Sequence, residues 1–116
     1  MSLIQQLKHF TGTENHYRLS ESSRLIYTDG IKAMAEIAQA YWLIQLMESY
    51  VPSQLRLLDD FCLWDIQVNP DMTAVVSCRE DTDKSPYIQQ EIPFTDFPES
   101  YSWYVVAGTI LLKSEY

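Results

Sequence analysis

The stretch over residues 25–50 constrains this chain more than any other. From Gly30 to Tyr50 it has no proline and no further glycine, and it is rich in Ala, Leu, Met, Gln and Glu, all good helix formers. Thr28 and Asp29 stand where an N-cap belongs, and Asp29 adds a favourable negative charge at the helix start. Val51-Pro52 ends the run, because a residue before proline is pushed out of the helical region. Ile31, Met34, Ala35, Ala38, Tyr41 and Trp42 share one stripe at helical spacing, with Lys32, Glu36 and Gln39 on another. After Tyr41 the apolar residues spread around the cylinder, so the helix must be covered on several sides. The expectation is one long central helix over 31–50, with Trp42 buried against the core.

Helical signals are weaker before this stretch, and strand signals dominate after it. Ser2 can cap a short helix carrying Leu3, Ile4, Leu7 and Phe10, with Gly12 as its stop. Residues 16–19 and 24–27 read as short extended pieces, and Ser53 as the cap of a further turn. From Cys62 the period becomes two, with Leu63, Asp65 and Gln67 on the more polar side. Asn69-Pro70-Asp71 turns that strand into a second over 72–79, making a hairpin. A third strand over 87–94 stops near Pro93, and a fourth over 103–113 is bent near Gly108. The pattern implies a single α+β domain over 1–116: N-terminal helices and one long central helix packed on an antiparallel meander of about four strands.

At 116 residues the chain can bury a core without a metal or disulfide staple. Cys62 and Cys78 are therefore expected as free thiols. The N-terminal residues lack a basic segment followed by an apolar one, and no apolar run reaches membrane-spanning length, which points to a cytoplasmic protein that does not enter a membrane. The net charge of −8 is unevenly placed: residues 59–116 hold eleven acids and three bases, whereas residues 1–58 balance five against five. The bases are scattered singly, so direct binding to nucleic acid is disfavoured.

Motifs with chemistry are scarce. Gly12, Gly30 and Gly108 lie far apart and form no phosphate loop, and no nucleophile elbow, CxxC pair, HExxH helix or calcium loop is present. His9, His16, Cys62 and Cys78 match no zinc spacing, so neither metal nor cofactor is expected. Four residues stand out as ligand-binding candidates. Asp29 and Asp96 each follow a threonine beside a turn, where an aspartate ordinarily braces its own backbone. His16 and Arg18 flank Tyr17 in a group able to clasp an anion.

Phe10-Thr11-Gly12-Thr13-Glu14, His16-Tyr17-Arg18, Tyr27-Thr28-Asp29-Gly30-Ile31, Ala40-Tyr41-Trp42-Leu43 and Ile92-Pro93-Phe94-Thr95-Asp96-Phe97-Pro98 together resemble a small uncharacterised domain family of bacterial and phage or plasmid-associated genomes. That resemblance implies a cytoplasmic accessory protein and carries no catalytic residue with it. The sequence thus favours a binding protein that meets a protein partner through its acidic C-terminal half, and its eight tyrosines suit such an interface or a homo-oligomer. A small hydrolase-like enzyme built on His16, Arg18, Asp29 and Asp96 is the alternative, and an acidic nucleic-acid mimic a third.

Overall fold

In the computed structural model, which describes residues 2–116, the architecture is one seven-stranded mixed sheet with three short helices. The elements run α1 (Leu3–Leu7), β1 (His16–Tyr17), β2 (Ile26–Thr28), α2 (Asp29–Ile37), α3 (Tyr41–Ser49), a 3₁₀ turn at Leu55–Leu58, β3 (Phe61–Val68), β4 (Ala74–Arg79), β5 (Ile88–Ile92), β6 (Tyr101–Val106), β7 (Thr109–Leu111) and a closing 3₁₀ turn at Lys113–Glu115. Across the sheet the order is β1-β2-β7-β6-β3-β4-β5, antiparallel except where β2 lies parallel to β7.

This corrects the sequence-based fold of a long central helix on a four-stranded meander. The expected helix over 31–50 is two helices, α2 and α3. Gln39 sits at φ +52°, and the amides of Gln39 and Ala40 return to the carbonyls of Glu36 (3.4 Å) and Ala35 (2.8 Å). That is a Schellman stop with glutamine where glycine or asparagine is usual, so no sequence signal marks it. The break lets Ala38 and Ala40 both be buried, and it turns α3 so that Leu43, Ile44 and Met47 face inward. Trp42 consequently lies at the margin of the core, only partly buried, against the expectation of full burial.

The strand count rises for two reasons. The pieces around residues 16–19 and 24–27 join the sheet as β1 and β2. The bend near Gly108 is a two-residue hairpin turn, with Ala107 at φ +49° and Gly108 at φ +82°, that divides the last strand into β6 and β7. Paired left-handed residues match the twist of the strands they join, and glycine adopts that conformation without a Cβ penalty. The β3–β4 hairpin stands where the alternation put it. Ser2 caps α1 as expected, but α1 stops at Leu7 with Lys8 as its C-cap rather than at Gly12. The expected helical turn after Pro52 is 3₁₀ and follows Gln54, with no side-chain cap from Ser53.

One sheet face carries Cys62, Trp64, Ile66, Val76, Cys78, Trp103, Val105 and Ile110, all fully buried. The helices lie against it: the Trp103 Nε1 donates to Met47 Sδ at 3.2 Å, and the Tyr50 hydroxyl donates to Gln90 Oε1 at 2.7 Å. The opposite face is mixed and part-solvated, with Asp65, Gln67, Arg79, Ser102 and Tyr104 along it. No helix among the described residues is long and apolar enough to cross a membrane.

Candidate functional site

Because Thr28 caps α2, Asp29 is that helix's first residue, and its side chain reaches back to the segment before β1. Its Oδ2 accepts from the amides of Glu14 (3.0 Å) and Asn15 (3.3 Å), and its Oδ1 accepts from the Tyr17 hydroxyl (2.8 Å). The Thr13 hydroxyl accepts from the Asp29 amide at 2.9 Å. Tyr17, then the Glu14 amide, hold the Asp29 carboxyl down at about 2, and the same carboxylate raises the Tyr17 hydroxyl. A group so placed stays ionised through the neutral range with its lone pairs occupied, which suits holding a loop better than moving protons. A shallow hollow lined by Glu14, Tyr17, Lys32 and Glu36 opens beside it.

Of the other sequence candidates, His16 and Arg18 are exposed around edge strand β1, and Asp96 is exposed in the segment after β5, at the opposite edge of the sheet. Among the described residues, no hydrogen bond or ion pair joins any of the four to another. The structure brings Asp29 to Tyr17, a residue in the same His16–Arg18 group, and leaves Asp96 elsewhere.

Two other places concentrate more chemistry. The first is a cavity of about 670 Å³ at the point where β7 ends. β7 pairs only with Tyr104–Val106 of β6, so β6 residues 101–103 run on without a strand on that side. The notch is walled by Ile4 and Leu7 of α1, by its C-cap Lys8, and by Lys113 and Ser114, with Leu63, Asp65 and Arg79 behind them. Asp65 Oδ2 and Arg79 Nη2 stand 3.7 Å apart with 22% and 23% of their side chains exposed. Burial raises the Asp65 carboxyl, with Arg79 and then Lys113 opposing. Sequence reasoning passed over Asp65, Arg79 and Lys113 as site residues, although one signal was there: Asp65 is the one charged residue within β3.

The second place is the open end of the β3–β4 hairpin. Asp60, Glu80 and Asp81 line one cleft there with Arg56, Phe61, Lys84 and Tyr87, and Asp59 and Asp83 adjoin it in sequence. The Arg56 guanidinium lies 4.3 Å over the Tyr87 ring, and the Tyr87 hydroxyl donates to the buried Cys62 sulfur at 2.9 Å. Cys62 and Cys78 are free. A hydrogen bond from the Cys78 thiol, with a second from Tyr87 and against the pull of burial, lowers Cys62, while the same bond and burial raise Cys78, so Cys62 is the more acidic of the two. Among the described residues, no group of His, Cys, Asp and Glu is arranged to hold a metal.

A mixed sheet backed by short helices on one face thus carries two places where polar side chains gather, a notch at a strand end and an acidic cleft at a hairpin end. The chain belongs to a family of unknown function, DUF6876, whose model matches residues 1–116. No curated protein and no solved structure matches it.

Proposed function

We propose that this chain is a non-enzymatic accessory protein that holds a partner protein, the partner presenting basic side chains to the acidic end of the β3–β4 hairpin. One observation supports the reading above others: residues apart in sequence, Asp60 before β3 and Glu80 and Asp81 after β4, line a single cleft. Opposed charges at an interface speed encounter and select the partner. Phe61 and Tyr87 in the same cleft supply the aromatic area that interface cores favour. In this reading the protein works in the bacterial cytoplasm as an accessory of a mobile element, in keeping with the resemblance of its sequence blocks, and touches no nucleic acid itself.

The test is capture from host extract at about 50 mM salt, where surface charges act strongly. It compares the natural chain with an Asp60→Asn, Glu80→Gln, Asp81→Asn variant. A protein retained by the natural chain, released as salt rises and lost with the variant is the expected result. Retention that neither salt nor the substitutions alter would count against the acidic contact.

A further inference from the structure

The notch at the end of β7 has the opposite electrostatic character. Three of the chain's eight Lys and Arg residues, Lys8, Arg79 and Lys113, line it against the single carboxylate of Asp65, in a protein of net charge −8. Arg79 is largely buried, yet its contacts are long. Its Nη1 donates to the Lys84 carbonyl at 3.4 Å, its Nη2 stands 3.7 Å from Asp65, and its Nε has no partner among the described residues. A guanidinium has five N–H donors in a planar fork that suits a carboxylate or phosphate edge, and buried donors left unfilled are costly. Lys113 is exposed beside it, its Nζ 5.7 Å from the Tyr104 ring centroid, with a long stem free to turn toward an anion. Ile4, Leu7, Leu63, Ile66 and Tyr101 supply the apolar remainder of the lining. The volume of about 670 Å³ is that of a small-molecule site rather than of a macromolecular interface.

We propose that this notch binds a small organic anion with an apolar tail, its head group on Arg79 and Lys113 and its tail along Leu63 and Ile4. Asp65 fixes the guanidinium from one side and, as a like charge, sets the head group toward Lys113. The site shares no residue with the acidic cleft at the hairpin end, so it stands or falls independently of the protein-partner reading.

The experiment is calorimetric titration of the full chain with monomeric decanoate, with decanol as the tail-only control and acetate as the head-only control. Three variants are compared: Lys113→Gln, Arg79→Gln, and Lys32→Gln in α2 as a distant control. Saturable binding of one decanoate is expected at submillimolar concentration. Decanol, acetate, Lys113→Gln and Arg79→Gln should each weaken it about tenfold or more, the scale of losing one charge-assisted contact. Lys32→Gln should bind as the natural chain does. Should Arg79→Gln fail to fold, as judged by circular dichroism, Lys113→Gln carries the test alone, since Lys113 is exposed. Absence of saturable decanoate binding would overturn the proposal, as would decanol binding equally well or Lys113→Gln binding unchanged. Binding to phosphatidylglycerol vesicles or to an acidic peptide without competition from decanoate would overturn it too, in favour of a membrane surface or a protein segment.

Discussion

Glu115 ties together parts of the chain that are far apart in sequence, and removing it should loosen them measurably. Its Oε1 accepts from the Thr28 hydroxyl at 2.6 Å and the Leu112 amide at 2.9 Å, and its Oε2 accepts from the Gly30 amide at 3.1 Å. Glu115→Ala strands three donors, one of them on Thr28, which is 1% exposed. It also removes a carboxylate from the start of α2, where negative charge is favoured. A hydrogen bond to a charged group contributes about 1.5–3 kcal/mol, but three bonds that share one carboxylate do not add, and water can reach part of this site. A loss of about 3 kcal/mol is therefore expected. With an unfolding entropy of about 2.1 cal/mol/K per residue, or about 0.24 kcal/mol/K for this length, the midpoint should fall by about 12 °C.

Thermal melts followed by near-ultraviolet circular dichroism would read that shift, and Glu115→Gln, which keeps one acceptor, should lose about half as much. Gly30 gives the cycle its second corner. A Cβ there would stand 2.5 Å from Glu115 Oε1 and 2.6 Å from Leu112 Cδ1, so Gly30→Ala drives the carboxylate away. With Glu115 already removed, only the Leu112 contact remains, and the double substitution should cost clearly less than the two single costs together. A Glu115→Ala midpoint within about 3 °C of the natural chain, less than 1 kcal/mol on this scale, would refute the reasoning. Strict additivity with Gly30→Ala would do the same.

Trp103→Ala should cost about 3–5 kcal/mol, because Trp103 is fully buried against Met47, whereas Trp42→Ala at the margin of the core should cost about half that or less; equal losses in denaturant titrations would contradict the helix break. Cys62 and Cys78 should remain two free thiols, since both are buried where an oxidant does not reach them; alkylation without reductant followed by mass spectrometry should find two adducts after unfolding and few before it. Asp29 is lowered from 3.8 to about 2 in the folded state, so its contribution is complete above about pH 4 and is lost as pH falls through about 2. Asp29→Asn should flatten the acid limb of the stability curve in that window, and an unchanged slope would mean that the Tyr17 contact does not persist in solution. Mixed-sequence DNA or RNA at about 50 mM salt should show no saturable anisotropy change, and binding that weakens as salt rises would reveal a basic surface assembled from dispersed residues.

What could be read from the sequence was local. The alternation over 62–68, the turn at Asn69-Pro70-Asp71 and the return strand predicted β3 and β4 because strand period and turn chemistry act within a few residues. What failed were decisions made by backbone conformation without a marker residue. Gln39 takes the left-handed position of a helix stop, although nothing distinguishes it from the glutamines at 5, 6 and 45. The Ala107-Gly108 pair fits a bend as well as a turn, because one strand continuing and two strands turning give the same composition. The parallel pairing of β2 with β7 joins residues about eighty positions apart, and no local pattern encodes it. Among the site residues, Asp29 was found because it sits at a helix start, but its partners Glu14 and Tyr17 depend on how the preceding segment folds back.

The acidity of the chain means something different once its partners are known. Glu48 accepts from the amides of Arg24 (2.6 Å) and Leu25 (3.0 Å), Glu99 from that of Ile4 (3.0 Å), Asp29 from those of Glu14 and Asn15 before β1, and Glu115 from those of Gly30 at the start of α2 and Leu112 after β7. Each of these carboxylates satisfies backbone donors that loops and helix starts otherwise leave open. Asp71 likewise holds Thr73 in its own turn, and Asp65 faces Arg79. Such charges are internal connections, and a partner cannot take them without loosening the fold. Subtracting them from the acidic half leaves Asp59, Asp60, Glu80 and Asp83 gathered at one end of the β3–β4 hairpin, where Asp81 also holds the Thr82 amide at 2.7 Å, with Glu91 and Asp96 apart from them. The acidity left over is therefore concentrated at one hairpin end rather than spread over half the chain. The same two strands lead from that end to the cation-lined notch, so a single hairpin carries both signs of charge at separate places.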